Sequence, residues 1–319
     1  MQRTTFESSF FRVEPVAAGV YAAIVTNEVL ALGNAGIVSL GNETLIFDTF
    51  LTPRAAQDLR AAAEHLTHQP IGWVVNSHWH GDHVLGNQVF APTAAIVSTP
   101  KTRQLIAKGV TAKIESAQQE LPGEIQTIRE QAESEGDPAK RQAMLQRVAG
   151  LEGQLKVMQT LELTLPQLTF DSQLDLHGSQ RTATLLTHGE GHTESDAFLW
   201  LPDEGVVFAG DLVVIEGHPW MGHGNPDHWT GILDRMASLG VRAVVPGHGP
   251  VGPVEAIPPV QRYLRDVFQL VRDAVRAGKS KEEVEALEIP AAYEKWGGPE
   301  YFGRSVSALY DKLSPKTES

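Results

Sequence analysis

His78-Trp79-His80-Gly81-Asp82-His83 is the stretch that decides how this chain is read. It puts three imidazoles and one carboxylate into six residues, shortly after the apolar run Ile71-Gly72-Trp73-Val74-Val75. In an extended segment side chains repeat every two residues, so His78 and His80 point the same way. As the chain turns, Asp82 and His83 face a second point nearby. Imidazole and carboxylate bind borderline-soft divalent metals at about 2.0–2.2 Å. The hexapeptide therefore supplies half of each of two adjacent metal sites. The alternative is a His-rich surface turn that binds nothing.

Three further segments argue against that alternative. His188-Gly189-Glu190-Gly191-His192-Thr193 follows the apolar run 183–187, Gly210-Asp211-Leu212 follows 205–209, and Pro246-Gly247-His248-Gly249 follows 241–245. All share one grammar: a buried strand, a turn of small residues, then His or Asp. Glycine lets the backbone bend sharply at a strand end and approach an ion closely. Each segment alone is a weak signal, but four in this order are specific.

The ordered set resembles the metallo-β-lactamase-fold metallohydrolase superfamily. Its H-x-H-x-D-H motif matches at His78, His80, Asp82 and His83, and its later ligand motifs match at His192, Asp211 and His248. The resemblance spans residues 48–250 and implies an α/β fold, a four-layer αβ/βα sandwich with the ligands along one edge. It implies that His78, His80 and His192 hold one metal, that Asp82, His83 and His248 hold a second, and that Asp211 bridges them. Asp48 matches a buried structural Asp just outside the metal shell; an ordinary strand-end turn residue is the alternative. Broad-range zinc β-lactamases use a Cys in the second site, and this chain has none. The pattern is thus closer to the glyoxalase II-like and general hydrolase branches. Two divalent ions are expected, zinc first, with iron or manganese also suited to a site without thiolate.

The chemistry this implies is metal-assisted hydrolysis. Two dications about 3.5–4 Å apart share a water and lower its pKa toward about 7, and Asp82 orients the resulting bridging hydroxide. The expected substrate is a small molecule with an ester, thioester or amide bond, lactams and lactones included. A glyoxalase II-like thioesterase needs a cationic patch, yet Lys and Arg are sparse around the motifs. A mononuclear iron oxygenase acting on persulfides would use a smaller ligand set. A non-catalytic metal-binding scaffold is the remaining class. The loop after Asp211 carries His218, Trp220 and His223, which are expected to overhang the metals as substrate or supporting residues. Asp196 is expected either to hold a ligand imidazole through its carboxylate or to cap a turn.

Composition narrows the classes further. At 319 residues and 42% hydrophobic content the chain can bury a sizeable core as one domain over 1–319. A net charge of −13 opposes a general nucleic-acid binder, which needs a basic face. The absence of Cys excludes disulfides and thiol catalysis. No apolar run approaches the roughly 18 residues of a membrane span. The first ten residues lack a signal-peptide core, so a cytoplasmic protein with no membrane partner is expected.

Strands are expected over 19–25, 35–40, 43–48 and 73–76, with a Gly41-Asn42 hairpin turn and a helix from Pro53 to about His65. Further strands are expected near 168–176, 182–187, 197–201, 205–210 and 241–245, with a helix over 227–239. Residues of about 100–162 read as a helical insertion of two or three helices, broken at Pro122-Gly123 and Gly136-Asp137-Pro138. Met144, Val148, Leu151, Leu155 and Met158 recur at spacings of three and four, which suits a helix pair lying over the sandwich, a lid, or a homodimer arm. A helical extension is expected over about 256–315, with Ser280 capping a new helix before Glu282 and Glu283. Tyr293, Trp296, Tyr301, Phe302 and Tyr310 are read as packing residues, with a substrate wall as the alternative.

Overall fold

Two β-sheets stack face to face in the computed structural model, which describes residues 6–26 and 29–314. The first sheet orders β1 (Phe11–Ala17), β2 (Val20–Val25), β3 (Ala35–Ser39), β4 (Thr44–Phe47), β5 (Ile71–Val75), β6 (Ala95–Ser98) and β7 (Leu168–Thr169). It is antiparallel up to β4 and parallel from there on. The second sheet orders β12 (Ala243–His248), β11 (Val206–Val214), β10 (Asp196–Leu201), β9 (Thr182–Gly189) and β8 (Gln173–His177).

Period-2 patterning makes the layers. Along β4 and β5, Leu45 and Val75 face the space between the sheets while Ile46 and Val74 face outward. Along β10 and β11, Leu199 and Phe208 face inward while Phe198 and Val207 face outward. Parallel pairing of β4 and β5 needs a crossover, and α1 (Pro53–Thr67) supplies it, capped by the Thr52 hydroxyl accepting from Ala55 N. Its Ala56, Leu59 and Ala63 cover the outer face of the first sheet. Across the molecule α6 (Pro226–Ala237), α7 (Ile257–Arg276) and α9 (Pro299–Leu313) cover the second sheet through Trp229, Tyr263 and Phe302. Helix, sheet, sheet, helix is the expected four-layer sandwich. Short helices α2 (Gly81–Val84) and α8 (Lys281–Glu285) complete it, α8 with the Ser280–Glu283 capping box. No helix of the described residues is long and apolar enough to cross a membrane.

Several expectations change in detail. β1 and β6 were not expected, because β1 has no clean alternation and β6 is only four residues long. The single strand expected over 168–176 is two: β7 joins the first sheet and β8 the second, with the chain crossing between them near Asp171-Ser172. The insertion lies between β6 and β7 as α3 (Pro100–Leu105), a π-turn over Ile106–Val110, α4 (Thr111–Ser134) and α5 (Pro138–Thr160). Pro122 does not break α4. Leu121 and Ile125 on either side are buried against Val148 of α5, and this packing outweighs the one backbone bond that proline removes. The base of the α4–α5 hairpin lies on the sandwich, where Met158 packs with Ile106 and Val110 of the preceding π-turn around Trp79. Of the C-terminal extension, residue 315 lies outside the described residues, as does the start of the N-terminal segment.

Candidate metal centre

Every ligand side chain leaves from one edge of the stacked sheets. His78 and His80 follow β5, Asp82 and His83 sit in α2, His192 follows β9, Asp211 lies within β11, and His248 ends β12. The expected ligands fall into two groups, His78, His80, His192 and Asp211 in one and Asp82, His83 and His248 in the other, with ligand atoms in each within 4.8 Å of one another. Asp211 faces both. Its Oδ2 lies 3.3 Å from His192 Nε2 and 3.7 Å from His78 Nε2, and its Oδ1 lies 3.2 Å from His83 Nε2 and 3.3 Å from His248 Nε2. Asp82 Oδ2 lies 3.3 Å from both His83 Nε2 and His248 Nε2. A side chain at Gly247 would put its Cβ 1.9 Å from Asp211 Oδ1, so only glycine lets this turn close on the carboxylate.

Hydrogen bonds behind the ligands assign their ring nitrogens. The Ser77 hydroxyl donates to Asp48 Oδ2 at 2.7 Å, so it accepts from His78 Nδ1 at 2.9 Å and leaves the His78 Nε2 lone pair facing the centre. Asp48 Oδ2 also accepts from His83 Nδ1 at 2.8 Å, which presents His83 Nε2. One buried carboxylate thus orients an imidazole in each group. Trp220 Nε1 donates to His223 Nδ1 at 3.2 Å, so that nitrogen is an acceptor and takes a second bond, at 2.8 Å, from His80 Nε2. His80 Nδ1 is then the lone pair, 3.0 Å from His192 Nε2. The buried atoms His78 Nε2, His83 Nε2 and Asp211 Oδ1 have no hydrogen-bond partner. Buried polar atoms aimed at a common point without partners are what an all-nitrogen-and-oxygen cation site requires.

The sequence model of the metallo-beta-lactamase superfamily matches residues 30–248, from the loop before β3 to the last ligand. The chain belongs to the metallo-beta-lactamase superfamily. A curated relative, the beta-lactamase-like protein 2 homolog of Caenorhabditis elegans, is 28% identical over 99 residues, 31% of this chain and 32% of that protein. The match thus spans about a third of that relative's length. Among solved structures, a metallo-beta-lactamase from Pontibacter korlensis aligns with a TM-score of 0.58 at 17% identity, covering 80% of this chain and 99% of that one. The DIM-1 metallo-beta-lactamase aligns at 0.56 and 18% identity over 82% of this chain and 99% of that one. At such identity these structures show the shared fold. Superfamily membership and the two ligand groups together support a metal-dependent hydrolase.

The two groups differ electrostatically in this superfamily member. Burial, and then the other imidazoles, holds His78 and His80 well below the ordinary histidine pKa, and burial takes His192 down to about 4. Burial also opposes charge on His83 and His248, but Asp82 and Asp211 outweigh it, lifting His83 well above its usual range and His248 to about 10. The same imidazoles overcome burial at Asp82 and Asp211 and hold both well below the usual carboxylate range.

The supporting residues divide. His223 and Trp220 stand behind His80 as expected. Asp196 takes the second of its two expected roles: it caps the His192 turn, accepting from Gly191 N at 3.0 Å and from Thr193 N and Oγ1 at 2.9 and 2.8 Å, and burial lifts its pKa to about 7. His218 is a correction. Its Nδ1 lies 3.0 Å from the Tyr263 hydroxyl, and its ring packs against Trp296 and Phe302, inside the core under α7 and α9. The loop turns it inward because its neighbouring aromatic residues are buried there. The hydroxyl pKa of Tyr301 of α9, read as packing, is raised by burial and then by the charge of Asp82. Asn34 carried no motif signal, yet its side-chain amide donates to Pro246 O and Gly249 O at 3.0 and 2.9 Å, on either side of His248.

Proposed function

We propose that this chain is a hydrolase that holds two divalent ions, zinc first, and cleaves an ester, thioester or amide bond of a small molecule, lactams and lactones included. The observation that carries the reading is Asp211, with one carboxylate oxygen turned to each ligand group. His78, His80 and His192 would hold one ion, Asp82, His83 and His248 the other, and Asp211 both. Ions held there would lower the pKa of a water toward about 7 and polarise the scissile carbonyl. Asp82 would orient the attacking water by accepting a hydrogen bond from it, with the water's proton passing to the leaving atom as the scissile bond breaks, while His80, braced by His223, keeps its lone pair on the centre. A one-iron oxygenase would use a subset of these residues, and the complete second group supports hydrolysis instead.

The test pairs elemental analysis of the purified chain with a hydrolysis panel: a chromogenic cephalosporin, S-lactoylglutathione, an aryl ester, an acyl-homoserine lactone and an aryl phosphodiester. The expected result is two zinc ions per chain and turnover on one class. Asp82→Ala is expected to lower kcat by about a hundredfold or more, as loss of a positioned proton acceptor does. One iron per chain with no hydrolysis, or full activity in the metal-stripped protein, would sink the reading.

A further inference from the structure

A cleft of about 610 Å³ lies between α5 and two loops of the sandwich. Leu30 and Leu51 form one wall, and Leu151, Val157 and Met158 of α5 form the other. Its two polar side chains, Thr52 and Arg147, each have a partner. The Thr52 hydroxyl donates to Leu30 O at 2.7 Å, and Arg147 pairs with Glu124 at 2.7 Å. A cleft whose polar side chains are engaged elsewhere offers an occupant little beyond apolar surface.

The loops that build it also build the metal centre. Leu51 N donates to Ala31 O at 3.0 Å, tying the two loops together. Along the first loop, a Cβ on Gly33 would lie 2.8 Å from His83 Nε2. From the second, Leu51 Cδ1 lies 3.8 Å from where Gly81, between His80 and Asp82, would carry a Cβ. The cleft therefore adjoins the edge of the ligand set.

Its far wall is kept open by glycine. Gly150 and Gly153 of α5 line the cleft, and no atom lies within 4 Å of the Cβ either would carry. Glycine inside a helix costs stability relative to residues with side chains. Two of them on the cleft side exchange helix stability for empty volume.

We propose that the cleft receives an apolar acyl or alkyl chain of the substrate, placing the bond to be cut at the metal centre. The identity of that bond rests on the hydrolase reading; the cleft does not. The test uses the full chain, Gly153→Leu and Gly150→Leu to fill the cleft, and Gly123→Leu, an equally open glycine on α4 outside it, as control. The neutral fluorophore N-phenyl-1-naphthylamine should bind the wild type, be displaced by decanoate and not by acetate, and bind the filled variants about tenfold more weakly, with Gly123→Leu unchanged. In parallel, the ratio of kcat/KM for p-nitrophenyl decanoate over acetate should fall about tenfold in the filled variants. Equal fluorophore binding by all variants, or no binding, would overturn the proposal, as would a wild-type dimer that Gly153→Leu dissociates, which would give the cleft to a second copy. Chain-selective binding without hydrolysis of any ester would keep the cleft and count against the hydrolase reading. Hydrolysis indifferent to chain length would do the reverse.

Discussion

Asp48 shows how much one side chain outside the ligand set can decide. With no solvent exposure and φ of 61°, it bonds Ser77 N, Ser77 Oγ and His83 Nδ1 at once. Asp48→Ala leaves these buried donors without an acceptor, at about 1–3 kcal/mol for the unsatisfied group. It also frees the tautomers of His78 and His83. We expect metal affinity to fall about 10–100-fold, measured by competition with a chromogenic chelator. A second prediction follows from the charge states. His78, His80 and His192 have pKa values below their ordinary value and are neutral at pH 7, so an ion bound there under the proposed reading would displace no protons from them. Asp82 and Asp211 raise the pKa of His83 and His248, His248 up to about 10, so a second ion bound there would displace a proton from each. Calorimetry at pH 7 in buffers of different ionisation enthalpy should show about two protons released in the second binding step and almost none in the first. Affinity of that second step should rise with pH. Equal release in both steps would contradict this assignment.

At the scale of elements, the α4–α5 hairpin is divided. Its base packs around Trp79, whose indole N–H also donates to Glu194 at 3.0 Å, beside the His192 turn. Its far half is held by Leu121, Ile125, Ile128 and Val148, a small cluster separate from the main core. Val148→Asp puts an unpaired charge into that cluster, costing about 3 kcal/mol or more. Because the far half shares little core with the sheets, it is expected to open locally. Limited proteolysis should cut the variant within 111–160 while near-ultraviolet circular dichroism of the sandwich persists. Global unfolding would show that the hairpin and sandwich are one cooperative unit.

For the whole molecule, the centre is a seam. β5 and α2 bring three histidines and Asp82 from the first sheet, and β9, β11 and β12 bring the rest from the second. Asn34 adds a bond from Asn34 N to Gly247 O at 2.7 Å, fastening the first sheet to the turn that carries His248. Ions shared across this seam would bind the folded state alone and would stabilise it by about 2.7 kcal/mol at a hundred times Kd. Differential scanning calorimetry should therefore show the unfolding temperature falling by several degrees on chelation and recovering on zinc addition. An unchanged transition would mean that the two sheets do not share a bound ion.

Motif order was enough to name the seven ligand candidates and Asp48, because their motifs follow apolar runs and small residues that are local signals, although β11 runs on through Asp211 and α2 carries Asp82 and His83. Hydrophobic alternation likewise marked β3, β4, β5, β10 and β11, and helical spacing marked α1, α6 and α7. Other features depended on contacts between residues far apart in the chain. Pro122 stays helical because Val148 packs across from it, and 168–176 divides because its two ends pair with different sheets. His218 and His223 sit five residues apart with the same chemistry. One is buried beside Tyr263 and the other braces His80, a choice made by the C-terminal helices that close over the loop. Periodicity and motif spacing are properties of neighbours in sequence, so the chain alone marked most of the strands and the candidate ligands. Which side a loop histidine faces, how one carboxylate comes to serve two groups, and where an apolar cleft remains open were decided only by tertiary packing, because each depends on partners 29 to 215 residues away.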